Sequence, residues 1–221
     1  MKAVIFDMDG ILIDSERPIL DVYVELGEQK GLAGMEDAVR KCIGTTMQTT
    51  RKLMTEYMGS EEAYALLYKE ANEILHAKFP NHSYPLKTGV VELLTYLKER
   101  GYIIGLASST RREVVEEITT NHGIREFFQT LTCGDMVAKS KPEPDIFLKA
   151  CENVRVAPEE AYAIEDSYNG IRAAYRAGMT PIMVPDMIAP DKEMKELAAH
   201  IFEDLTAVKA WFQQKSKEKN S

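Results

Sequence analysis

Five short β-rich runs alternate with helical stretches, and this alternation limits the fold more than any other feature of the chain. The runs are Ala3 to Phe6, Tyr102 to Ala107, Phe127 to Cys133, Ala161 to Ile164 and Pro181 to Val184. Between the later ones, apolar residues recur at helical spacing from Val90 to Arg100, from about Arg111, from Pro142 to Asn153 and from Ile171 to Ala177. Thr110 and Glu113 have the spacing of a capping box for the second of these helices. Helices over Glu193 to Ala199 and Leu205 to Phe212 close the chain, and the polar tail from Gln213 to Ser221 is expected to fray. Strands joined by helices imply a parallel sheet covered on both faces.

The stretch from residue 15 to residue 84 interrupts that scheme with helical pattern alone. Ser15 is placed to cap a helix with Glu16 and Pro18 in its first turn. Ile19, Val22, Tyr23 and Leu26 form its apolar stripe. Short helices over Asp37 to Ile43 and Met47 to Tyr57 flank Gly44-Thr45-Thr46, and Ser60 caps a longer one. The block reads as an insertion, entered and left near the carboxyl end of the first strand, where it would overhang a site and act as a lid.

A chain of 221 residues with 45% hydrophobic residues can bury a sizeable core. Its net charge of -8 argues against a nucleic-acid partner, although a local basic site for an anion remains compatible with it. Cys42, Cys133 and Cys151 match no zinc spacing and read as reduced thiols of a cytoplasmic protein. No leader-like segment and no apolar run of about 20 residues is visible, so no membrane association is expected.

Polar residues cluster at four predicted strand ends: Asp7 and Asp9 before Gly10, Ser108-Ser109-Thr110, Lys141, and Glu165-Asp166. Parallel open sheets bind ligands at the carboxyl ends of their strands, so these clusters can converge. Asp7 and Asp9, two apart on a strand, face the same side. Paired carboxylates repel unless a proton or cation separates them, and a hard divalent ion prefers oxygen ligands. Taken together the clusters describe phosphoryl transfer. One carboxylate attacks phosphorus, a metal ion offsets the repulsion, a hydroxyl and an ammonium hold the non-bridging oxygens, and a second acid handles protons.

Asp7-Met8-Asp9-Gly10, the hydroxyl cluster after Leu106-Ala107, Ser140-Lys141-Pro142 and Glu165-Asp166-Ser167 resemble the four motifs of the haloacid dehalogenase superfamily. The fuller stretches, such as Ser140 to Phe147 and Ile164 to Ile171, are similar to its β-phosphoglucomutase and sugar-phosphate phosphatase branch. The resemblance implies an α/β fold, with a Rossmann-like doubly wound parallel sheet core (residues 1–14 and 85–221) and an inserted helical cap (residues 15–84). It also implies Mg²⁺ as cofactor. Asp7 matches the nucleophile and a metal ligand. Asp9 matches the general acid/base, with its carbonyl on the metal. Ser108 and Lys141 match the phosphate-binding hydroxyl and ammonium. Asp166 matches the third protein ligand of the metal, with Glu165 beside it, directly coordinated or one step removed. Gly10, Ser109 and Thr110 would line the phosphate site.

An acid at Asp9 argues against the dehalogenases and phosphonatases of the superfamily. The mutase pattern calls for an arginine soon after the cap glycine, where Met47 stands here, and for a histidine in the first cap helix, which Ser15 to Ile19 lacks. Arg17, Arg51, Lys52 and Lys69 are the candidate substitutes for that arginine. The expected activity is therefore hydrolysis of small phosphorylated metabolites, sugar phosphates by default, by a monomer. β-Phosphoglucomutase activity and a non-catalytic phosphate-binding module are the alternatives. His76, His82, His122 and His200 are assigned no catalytic part, and Trp211 is expected to anchor the last helix.

Overall fold

The computed structural model describes residues 2–43 and 47–218. Its centre is β1 (Ala3–Phe6), whose residues are all buried because both faces of the strand are covered. This explains why the run is continuously apolar rather than alternating. β2 (Ile103–Ser108), β3 (Thr130–Cys133), β4 (Ala161–Glu165), β5 (Thr180–Met183) and β6 (His200–Ile201) complete a parallel sheet of order β3-β2-β1-β4-β5-β6. In register, Phe6 lies between Leu106 of β2 and Ile164 of β4. The chain builds outward from β1 first to one side and then to the other. The switch point therefore falls at the carboxyl ends of β1, β2 and β4, where open sheets of this type hold ligands.

Alternate residues of β1 serve two cores. Val4 and Phe6 pack with Leu93, Leu97 and Phe212, which lie on α5 (Val90–Glu99) and α10 (Leu205–Glu218). Ala3 and Ile5 pack with Phe147, Ala150 and Ala173, which lie on α7 (Asp145–Val154) and α8 (Tyr168–Arg176). The remaining helices of this part are α6 (Arg112–Asn121) and α9 (Lys192–Leu197). The expected α/β, Rossmann-like doubly wound sheet is present.

α1 (Glu16–Lys30), α2 (Met35–Arg40), α3 (Met47–Met58) and α4 (Glu61–Lys78) fill the stretch between β1 and α5. They have their own apolar cluster, in which Leu26, Met54, Leu67 and Ala71 are buried. The strands of chain that lead into and out of this block are tied together. The amide of Asp14 donates to the Pro85 carbonyl at 2.8 Å, and that of Lys87 donates to Leu12 at 2.9 Å.

Several local expectations need correction. The Ser15 hydroxyl does not cap α1. Nor does Thr110 cap α6, where Arg111 occupies the cap position without a side-chain bond. Both hydroxyls turn instead to Asp9. The polar tail is helical as far as Glu218, because α10 runs on past Phe212. β6 has only two residues, too few to register as a period-two pattern. Ser60 does cap α4, accepting from the Ala63 amide at 3.0 Å. The Gly44-Thr45-Thr46 connection lies outside the described residues. Trp211 packs edge-on to Tyr162 and beside His200, tying α10 to the sheet.

Candidate active site

Asp7 follows β1 directly and is buried, with its amide bonded to the Ile164 carbonyl of β4 at 2.9 Å. The chain then folds back in a tight turn. Leu12 and Ile13 donate to the Met8 carbonyl, and Gly10 sits at φ 74°, a conformation that costs glycine little. Glycine is needed there for a second reason, since a Cβ at Gly10 would collide with the Asp166 carboxyl.

Lys141, carried on the loop before α7, reaches inward between two acids. Its Nζ stands 2.5 Å from Asp7 Oδ1 and 2.7 Å from Glu165 Oε1. All three side chains are buried. Lys139 is exposed, so of the two lysines beside Ser140 only Lys141 enters the site. Glu165 ends β4, and its second oxygen accepts from the Ser167 amide and hydroxyl at 2.8 and 2.9 Å. Three donors thus occupy Glu165. The carboxylate of Asp166 accepts no hydrogen bond among the described residues and remains buried. One oxygen each from Asp7, Glu165 and Asp166 lie within 4.8 Å of one another.

Electrostatics describe the same cluster. Burial raises Asp7 to about 8; Lys141 works against the rise, and Glu165 and Asp9 add to it. Burial, then Glu165, Glu16 and Asp7, hold Asp166 well above the carboxylate range. For Lys141, burial favours the neutral amine, but the two acids outweigh it and the net shift is upward. Three buried acids therefore share one ammonium, and the donor set is all oxygen. That combination suits a hard divalent cation, and of the three acids Asp7 and Glu165 are already engaged by Lys141.

Asp9 lies at the mouth of the cluster. Ser15 Oγ donates to its Oδ1 at 2.8 Å and Thr110 Oγ1 to its Oδ2 at 3.2 Å. Ser108 is fully buried at the end of β2, where its hydroxyl accepts from the Thr110 amide at 3.1 Å. Ser109 is exposed beside it. The four clusters separated along the sequence thus meet at one edge of the sheet.

A cavity of about 410 Å³ opens from Asp9 into the helical block. Glu16 lines it, a role hidden in the sequence because an acid in a first helical turn is ordinary. None of the candidate cap cations reaches it. Arg17 pairs with Asp186, Arg51 with Glu61 and Lys69 with Glu73, and Lys52 is exposed. Asp186 was not singled out by sequence. It joins the core to the root of the helical block, accepting from Lys87 at 2.6 Å as well as from Arg17 at 3.4 Å.

Comparison with known proteins gives this arrangement its class. Residues 4–184 match the model of the haloacid dehalogenase-like hydrolases, and the chain belongs to that family. Among curated relatives it is 31% identical over 183 residues to the phosphorylated carbohydrates phosphatase of Thermotoga maritima, covering 82% of this chain and 84% of the relative. It is 32% identical over 194 residues to the β-phosphoglucomutase of Bacillus subtilis, covering 83% of each. The crystal structure of CbbY from Rhodobacter sphaeroides in complex with phosphate superposes with a TM-score of 0.70 at 26% identity, covering 93% of this chain and 95% of that one. Among its relatives in that family are thus both a carbohydrate phosphatase and a phosphoglucomutase.

Proposed function

We propose that the protein is a Mg²⁺-dependent phosphatase that hydrolyses small phosphate monoesters, sugar phosphates foremost, through an aspartyl-phosphate on Asp7. It acts as a cytoplasmic monomer, with residues 1–14 and 85–221 as the catalytic core and residues 15–84 as a cap over it. The observation that carries this reading is the meeting of Asp7, Lys141 and Asp166, from three separate loops, around a space rich in buried oxygen donors.

Asp7 and Asp166 would hold the metal ion, with the Asp9 carbonyl as a further ligand and Glu165 alongside. The ion, when bound, lowers the repulsion between the carboxylate and the phosphate. The Asp7 carboxylate attacks phosphorus, and the bond from phosphorus to the ester oxygen breaks. Asp9 gives its proton to the departing alkoxide. Water then attacks the phosphorus of the acyl phosphate, Asp9 takes its proton back, and the bond to Asp7 breaks to release inorganic phosphate. Lys141, the Ser108 hydroxyl, and the loop residues Gly10, Ser109 and Thr110 hold the phosphoryl oxygens as charge shifts among them.

Hydrolysis is favoured over mutase turnover by the cavity above Asp9. A mutase must hold a second phosphate while the intermediate reorients. The described lining of the cavity contains no arginine, lysine or histidine to do so. The test is phosphate release from an aryl phosphate with Mg²⁺, expected in the native enzyme and abolished by Asp7→Asn. Efficient interconversion of β-glucose 1-phosphate and glucose 6-phosphate would overturn the phosphatase reading. Absence of both activities, with no metal binding, would leave a binding module.

A further inference from the structure

The cavity over Asp9 has an uneven chemical character. The rings of Tyr23, Tyr64 and Tyr68 and the side chains of Met47 and Met54 give it an apolar wall. Its lining carboxyls are Asp9 and Glu16, and no lysine, arginine or histidine lines it among the described residues. Glu16 Oε2 is buried and has no hydrogen-bond partner among the described residues. An orphaned buried acceptor favours an incoming donor, because leaving it unpaired is costly. The adjoining cavity of about 240 Å³, which shares Ile43, has Arg172 as its lining cation. That guanidinium is already held by both oxygens of Glu193, at 2.7 and 2.5 Å.

From this charge arrangement we infer that the pocket selects monophosphates whose alcohol portion is uncharged, and rejects those carrying a second anionic group. Glu16 is the specificity-determining residue. It accepts a hydroxyl of the leaving group, and the tyrosines receive the C–H faces of the same molecule. A second phosphate or a carboxylate in this space would lie against the Glu16 carboxyl and find no lysine, arginine or histidine among the described lining residues. An anion desolvated without a cationic partner is strongly disfavoured, which makes the missing cation discriminating. The inference rests on the phosphatase reading and narrows its substrate class to neutral sugars and polyols.

Two matched substrate pairs test it: sorbitol 6-phosphate against 6-phosphogluconate, and fructose 6-phosphate against fructose 1,6-bisphosphate. The measurement is kcat/KM for phosphate release with Mg²⁺ in the native enzyme. The member whose alcohol portion is uncharged is expected to be preferred by about 100-fold in each pair, the scale of desolvating an unpaired anion. Glu16→Gln should narrow both ratios. Met47→Arg, at a side chain 75% exposed and therefore tolerant of change, should narrow them further by raising turnover of the doubly anionic members. Calorimetric binding of the same pairs to Asp7→Asn gives the preference without turnover. Ratios near one in the native enzyme, with Asp7-dependent aryl phosphate hydrolysis intact, would overturn the charge selection and leave the phosphatase reading standing. No phosphate release from any ester would overturn both.

Discussion

Lys141 Nζ lies 2.5 Å from Asp7 Oδ1, so the ammonium is in direct contact with the group proposed to attack phosphorus. The same nitrogen reaches Glu165 at 2.7 Å, and both acids are buried around it. Removing one partner from a buried ionic cluster typically costs about 3–5 kcal/mol, because the others are left uncompensated. Lys141→Ala should therefore lower stability by about 3 kcal/mol at pH 8. The loss should be smaller at pH 6, where the abandoned acids take up protons. Phosphate release should fall by at least about 100-fold, as for loss of a preorganised charge-stabilising group. Urea unfolding at the two pH values and steady-state kinetics check these expectations.

Metal binding should depend on pH with a definite sign. The Asp7 carboxyl is raised from 3.8 to about 8 in the folded protein without metal. The folded state therefore holds a proton that the unfolded state has released across that range. The contribution of Asp7 to stability is fully present below its ordinary value of 3.8 and is lost as pH rises through about 8. Mg²⁺ must displace that proton, so its affinity should tighten between pH 6 and pH 8. Thermal shifts produced by a fixed Mg²⁺ concentration should grow over the same interval. A shift that is flat with pH would contradict the assignment of Asp7 as a ligand.

Asp9 has each carboxylate oxygen engaged by a different element, Ser15 at the start of the helical block and Thr110 after β2. Asp9→Asn preserves size but removes proton transfer, so kcat should fall by about 10²–10⁴-fold. Mg²⁺ affinity should change little, because the proposed metal contact of Asp9 is its backbone carbonyl. Ser15→Ala should reduce kcat more modestly by leaving Asp9 less firmly oriented. Parallel loss of Mg²⁺ binding in Asp9→Asn, measured by calorimetry, would count against this division of labour.

Gly170, inside α8, offers a contrast with helix propensity. Glycine to alanine in a helix interior ordinarily stabilises by up to about 1 kcal/mol. Here an added Cβ would overlap the Glu165 carboxyl. Gly170→Ala should displace Glu165, loosen Lys141 and reduce both stability and phosphate release. An increase in melting temperature with full activity would show that Glu165 has room to move without consequence.

The parallel core was legible because its strands are buried on both faces and read as uninterrupted apolar runs bounded by polar residues, as in Ala3–Phe6 before Asp7. The site clusters were legible for a related reason. Charged or hydroxyl residues that directly follow such runs, Asp7, Ser108 and Asp166 among them, have few structural explanations in common. Less visible were side chains whose position in a helix has an ordinary meaning. Ser15 and Thr110 have the chemistry of caps, yet both hydroxyls serve Asp9, a contact set by the packing of distant segments. Glu16 and Asp186 gain their roles where the helical block meets the core, and no local pattern encodes that junction. Arg17, Arg51 and Lys69 looked available for substrate because surface pairings such as Arg51 with Glu61 depend on which helices lie side by side.

The central claim is that phosphorus becomes bonded to Asp7 during turnover, and chemical trapping tests it directly. Enzyme quenched while hydrolysing an aryl phosphate with Mg²⁺ would be reduced with borohydride, which converts an acyl phosphate to an alcohol. Peptide mass spectrometry should then show homoserine at position 7 in the native enzyme and nothing in Asp7→Asn. Sustained Mg²⁺-dependent hydrolysis with position 7 unmodified, or with hydrolysis retained in Asp7→Asn, would contradict the account.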